Sequence, residues 1–145
     1  MAKDILIRPA GLLDASAVAE LCTQLGYPTS PEQAARRVDQ IARLPDHGLF
    51  VAVADGQVVG WVHVHAYPLP EVDTHAELGG LVVDERVRNG GIGRMLVEQA
   101  ESWSRGQGCG FLSVRSNIVR EAAHRFYQRL GFEQFKTQYS FRKQL

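Results

Sequence analysis

The sequence predicts one mixed α+β domain spanning residues 1–145, and three observations carry that expectation. Apolar residues recur at helical spacing in two early segments, the texture turns strand-like through residues 49–84, and helix-like and strand-like segments alternate after that. The length of 145 residues is enough for one buried core. The expected order is βααβββαβαβ(β), with no internal repeat and no linker.

Residues 4–9 (DILIRP) alternate as a short strand does. Asp14 is placed to cap a helix whose apolar positions are Ala15, Val18, Ala19, Cys22 and Leu25, closed by Gly26. Ser30-Pro31-Glu32-Gln33 reads as a capping box with proline at the first helical position, and Pro45 ends that second helix. Strands at 49–54 and 58–67 flank Asp55-Gly56, a strong two-residue hairpin turn. A loop containing Pro68 and Pro70 leads to a third strand at 75–84. Ile92, Met95, Leu96, Ala100 and Trp103 mark an amphipathic helix that stops near Gly106 and Gly108. A strand at 111–115 and a helix at 121–130 follow, the helix closed by Gly131. The aromatic-rich stretch 132–143 reads as one or two final strands.

Composition excludes more than it selects. Sixteen basic and sixteen acidic residues leave no net charge, so nothing favours nucleic acid or an anionic membrane as partner. The opening MAKDILIRPAG lacks the apolar core of a signal peptide, and no apolar run is long enough to span a bilayer. The cytoplasm is the expected compartment. Cys22 and Cys109 form no Cys-x-x-Cys pattern and read as two buried thiols.

The stretch Val87-Arg88-Asn89-Gly90-Gly91-Ile92-Gly93-Arg94 joins strand-like residues to a helix through three glycines. Glycine in the first turn of a helix costs up to ~1 kcal/mol against alanine, so a compensating use is expected. The first amides of a helix have no intrahelical partner and carry the positive end of its dipole. Glycines let an anion approach them closely, so a phosphate or pyrophosphate is the expected guest. No lysine follows as in a P-loop, and a dinucleotide-type Gly-x-Gly-x-x-Gly is absent. What remains is Arg88-x-x-Gly91-x-Gly93, flanked by Arg86 and Arg94.

With Leu81-Val82-Val83-Asp84 before it, this stretch resembles the pyrophosphate-binding signature of the GNAT superfamily of acyl-CoA-dependent N-acetyltransferases. Ala123-His124-Arg125-Phe126-Tyr127-Gln128-Arg129-Leu130-Gly131-Phe132 resembles the second signature of that family, in the right order. The resemblance implies a mixed, mostly antiparallel central sheet flanked by helices. It implies acetyl-CoA as cosubstrate, with the pyrophosphate on Arg88, Asn89, Gly90, Gly91, Ile92, Gly93 and Arg94. Leu81, Val82 and Val83 would pair with the pantetheine amides, and Leu81 N–H would polarise the thioester carbonyl. Gly79-Gly80 would suit a bulge that splays two strands.

Tyr127 takes the position of the thiol-side acid, and Glu77 that of the base in one branch of the family. The base reading stays open between Glu77, His65 and water. His63 and His65 share a strand face. With His75 and Glu77 across an antiparallel pair they would form one patch. The readings are ordinary strand histidines, or residues that line the acceptor pocket or serve as an alternative base, and no metal is required. Many relatives carry asparagine where this chain has Arg120, so the cofactor contact is open between Asn117 and Arg120. The acceptor expected is a primary amine of a small molecule. A protein amino group and a non-catalytic acyl-CoA-binding module are the alternatives. The apolar tail suits a homodimer.

Overall fold

Local chemistry sets most boundaries. Gln33 N–H donates to Ser30 Oγ and Ser30 N–H to Gln33 Oε1, the reciprocal bonds that start α2 (Pro31–Ala42). α1 (Ala15–Leu25) closes on Gly26, whose φ of 108° is left-handed. Asp14 precedes α1 as expected, but its carboxylate does not cap it. It accepts instead from the Arg8 guanidinium at 2.9 Å and from Gly11 N–H at 2.8 Å, tying the end of β1 (Ile5–Pro9) to the start of the helix.

The structure is a computed structural model that describes residues 4–145; residues 1–3, the start of the stretch read above for a leader, lie outside it. The remaining elements are β2 (His47–Ala54), β3 (Gln57–Leu69), β4 (Val72–Val83), α3 (Ile92–Gly106), β5 (Leu112–Val114) and α4 (Glu121–Arg129). The chain divides into two compact units, the first ending at Val114 and the second running from Arg115 to Leu145.

In the first unit the five strands lie in the order β1-β2-β3-β4-β5, antiparallel except for the parallel β4–β5 pair. Asp55 and Gly56 both take positive φ, as a tight turn between β2 and β3 requires. The expected proline loop is mostly strand: β3 reaches Leu69 and β4 starts at Val72, with Pro68 at a register irregularity where a missing N–H costs no ladder bond. α1 and α2 cover one sheet face through Val18, Ala19, Leu21, Ala34 and Val38, packed on Val51, Trp61 and Val82. α3 covers the other, with Leu96 and Ile92 against Gly60 and Trp103 against Gly48.

The second unit holds α4, closed by Gly131 at φ 95°. The expected strands at 132–143 do not form. Phe135, Thr137, Tyr139 and Phe141 keep the alternation of a strand, but α4 is the only regular element described in this unit. It offers no strand edge to satisfy their backbone groups, and the three aromatic rings stay exposed.

Candidate active site

β4 is where the sheet opens. Its ladder to β5 covers only Ala76–Leu78, while the ladder to β3 continues to Val83. Between the pairs Val64–Leu78 and His63–Gly80 one residue of β4, Gly79, has no counterpart. This bulge falls at the glycine pair where the sequence placed one. The glycines are needed for space. A Cβ on Gly79 would run into the His63 ring, and one on Gly80 would meet the Trp61 ring at 2.7 Å.

Past Val83 the chain turns on Asp84, which is nearly fully buried. Its carboxylate accepts from Arg86 N–H at 3.0 Å and from the Arg86 guanidinium at 2.6 Å. Those side-chain bonds come first among the causes that hold its pKa down to about 2. Because the folded value lies below that of an unfolded aspartate, the pair stabilises the fold above about pH 4 and loses that contribution as pH falls towards 2. Asp84→Asn should therefore lower stability at pH 7 by roughly 1–2 kcal/mol and flatten its acid dependence, as read by urea denaturation at several pH values.

Of the three arginines at this turn, Arg86 is thus committed to Asp84. Arg88 folds back, its Nε donating to Val83 O at 3.2 Å, and Arg94 lies 4.0 Å from Glu98. Asn89 at φ 70° and Gly91 at φ 82° bring the chain into α3 through the left-handed region. Whereas Ser30 caps α2, the N-cap of α3 is Gly91, which has no side chain to take up the first amides. A Cβ on Gly91 would meet nothing within 4 Å.

On the face carrying Val51, Trp61 and Val82, the apolar floor gives way to polar aromatics. His47, His63, His65, Tyr67, His75 and Phe111 form a continuous row with neighbouring ring centroids 4.4–5.7 Å apart. His65 Nε2 and the Tyr67 hydroxyl each lie 3.4 Å from Glu77 Oε2, and His47 Nδ1 lies 2.9 Å from His63 Nε2. Burial, then repulsion from His47 and His65, pushes His63 down to about 4. Burial also lowers His65, with Glu77 opposing it.

The strand pairing thus unites His63, His65, His75 and Glu77, as the alternation implied. It also adds His47 and Tyr67, which sequence reading missed. No group of three or more histidine, cysteine or acidic residues could hold a metal ion among the described residues.

In the second unit, Tyr127 packs edge-on against Phe126 and Phe132. Burial raises its pKa and Arg120 partly offsets this. Asn117 Oδ1 accepts from Val119 N–H, and Asn117 O lies 2.9 Å from His124 Nε2. Cys22 and Cys109 are free and half-buried rather than fully buried, and burial raises both thiols.

Residues 15–132 match the model of the acetyltransferase (GNAT) family. The chain belongs to the GNAT acetyltransferase family. It is 33% identical over 140 residues to an uncharacterized N-acetyltransferase of Chlorobaculum tepidum, covering 95% of this chain and 81% of that one. It is 30% identical over 144 residues to an aminoglycoside N(6')-acetyltransferase type 1 of Stenotrophomonas maltophilia, covering 96% and 93%. The solved structure of the aminoglycoside N-acetyltransferase AAC(6')-Iy in complex with CoA shares the fold, with a TM-score of 0.88, 19% identity and coverage of 100% and 98%. This GNAT protein is therefore an N-acetyltransferase.

Proposed function

We propose that this acetyltransferase moves the acetyl group of acetyl-CoA to a primary amine of a small molecule by direct transfer. One observation carries the reading. The β3–β4 pair carries a histidine–tyrosine–glutamate face beside the bulge in β4, and β4 leads into a left-handed entry to α3 at a glycine N-cap.

The backbone at Asn89, Gly90, Gly91, Ile92, Gly93 and Arg94 suits the pyrophosphate, since helix-start amides and the dipole both favour an anion there. The edge of β4 at Leu81, Val82 and Val83, beyond the last β5 pair, suits the pantetheine amides. Leu81 N–H is assigned to polarise the thioester carbonyl, a role worth about 3–4 kcal/mol in enzymes generally. Asn117 and Arg120 are the candidate further contacts of the cosubstrate.

Acetyl-CoA supplies an activated acyl group, and this chain's residues supply positions and proton transfers. Glu77 binds the acceptor as an ammonium and takes its first proton, with His65 and Tyr67 steadying the carboxylate. Tyr127 returns a proton to the departing thiolate; a phenol kept protonated by burial is suited to that task. Thiols raised by burial are poor nucleophiles, which favours direct transfer over a cysteine-linked intermediate. Relatives named for aminoglycosides, together with Glu71, Asp73 and Glu77 on one hairpin, support a small cationic acceptor.

Thiol release from acetyl-CoA across a panel of small amines and peptides tests this, with Tyr127→Phe and Glu77→Gln alongside the wild type. Release with one class of small amine, slowed at least tenfold in each variant (about 1.4 kcal/mol of barrier), is expected. Release with peptides alone would reject the small-molecule acceptor. Tight CoA binding without release on any amine would favour a binding module.

A further inference from the structure

The acetyl-transfer reading needs a second proton to leave the acceptor nitrogen, and Glu77 accounts only for the first. The His47–His63 pair is hydrogen-bonded, and it lies at the bulge itself. His63 stands over Gly79, which has no Cβ to block Nδ1, while its Nε2 faces His47 Nδ1 at 2.9 Å. The other nitrogen of His47, Nε2, lies 4.0 Å from the exposed Asp46 carboxylate.

That carboxylate favours a proton on His47 Nε2, which makes His47 Nδ1 the acceptor and His63 Nε2–H the donor. Nδ1 of His63, which packs against Gly79, is then the nitrogen that carries the lone pair.

We propose that His63 and His47 form a proton relay that deprotonates the attacking amine as the C–N bond forms. The amine N–H gives its proton to Nδ1 of His63, Nε2–H of His63 passes to Nδ1 of His47, and Nε2–H of His47 is released to solvent on the side where the exposed Asp46 carboxylate lies 4.0 Å away. Each ring gains one proton and loses one, so no imidazolium accumulates. This suits the surroundings of His63. It is crowded by His47 on β2 and His65 on β3, with Tyr67 beside His65 and Glu77 and His75 across on β4, and burial further disfavours its cation. An isolated histidine here would be too weak a base; the bond to His47 lets each proton arriving at Nδ1 be matched by one leaving Nε2.

The proposal rests on acetyl transfer, so its test has two arms. The first needs no acceptor: long-range nitrogen–proton correlation spectra of histidine-labelled protein between pH 5 and pH 8. His63 is expected neutral, with its proton on Nε2 throughout. A proton on Nδ1, or ordinary titration near 6.5, overturns the relay. The second arm uses the amine found in the panel, with His63→Gln, His47→Gln and the double variant.

Each single variant should lower kcat at least tenfold with KM within threefold, and the double should be little worse than either. The curved dependence of kcat on D2O fraction expected of the wild type should become linear in His47→Gln. Wild-type kcat in His47→Gln, or curvature retained there, overturns the relay. Release with no amine refutes acetyl transfer, and with it the relay's task, while the spectra independently decide the tautomers.

Discussion

Gly91→Val will weaken CoA binding at least tenfold, while the protein itself loses only about 1–3 kcal/mol of stability. The contrast follows from what surrounds the residue. Gly91 holds φ at 82°, a conformation that costs a β-branched residue about 1–3 kcal/mol. Among the described residues, no heavy atom beyond its own chain neighbours lies within 4 Å of the Cβ position, so packing adds nothing further. The same empty space lies at the uncapped start of α3, where the proposed anion would meet the helix amides. An isopropyl group there would take the ligand's place. Calorimetric titration with CoA, paired with urea denaturation of the free protein, separates the two effects. Unchanged CoA affinity would remove the pyrophosphate from this turn.

Leu96→Ala will lower stability by about 3–4 kcal/mol and the melting temperature by roughly 10 °C. Leu96 is completely buried on α3 and meets β3 at Gly60, so its truncation leaves a cavity between helix and sheet that rigid strands cannot close. Gly60→Ala probes the same contact from the other side. Its Cβ would lie 3.1 Å from Leu96 Cδ1 and 2.9 Å from the carbonyl oxygen of Val82. The leucine methyl can move aside, but the backbone carbonyl in the β3–β4 ladder cannot. The double variant should therefore be less stable than either single one. Recovery of stability in the double would mean that the Leu96 contact, and not the Val82 carbonyl, excludes a side chain at position 60.

The recurring physical theme of the site is the bulge. At Gly79 it brings the His63 ring over bare backbone, and past it the β4–β5 ladder has already ended. Both consequences sit on the strand that enters the anion-binding turn. Asp84, pinned by Arg86, keeps that turn in place, leaving Gly91 and the first amides of α3 for a ligand.

What the sequence determined by itself is what neighbouring residues decide among themselves. The Ser30–Gln33 capping box, the Asp55-Gly56 turn, the Gly26 and Gly131 helix ends and the glycine entry to α3 all depend on contacts within a few residues, and each was legible. So were the two motifs that place the chain in its family, and the shared face of His63, His65, His75 and Glu77, which needs only alternation and one hairpin. Beyond that range, patterning was insufficient. The stretch 132–143 has the alternation of a strand, but a strand also needs an edge to pair with, which its own residues cannot supply.

His47 illustrates the same limit inside the site. Followed without interruption from the Asp55-Gly56 turn, the β2–β3 pairing would set His47 opposite Val64, on the wrong face. A register shift at Ala52 and Val53 moves it opposite His65 instead, beside His63. One inserted residue reverses which face a strand presents, because side chains alternate with a period of two. Nothing in the residue pattern of β2 or β3 announces that shift, so the tertiary structure alone completed the imidazole row.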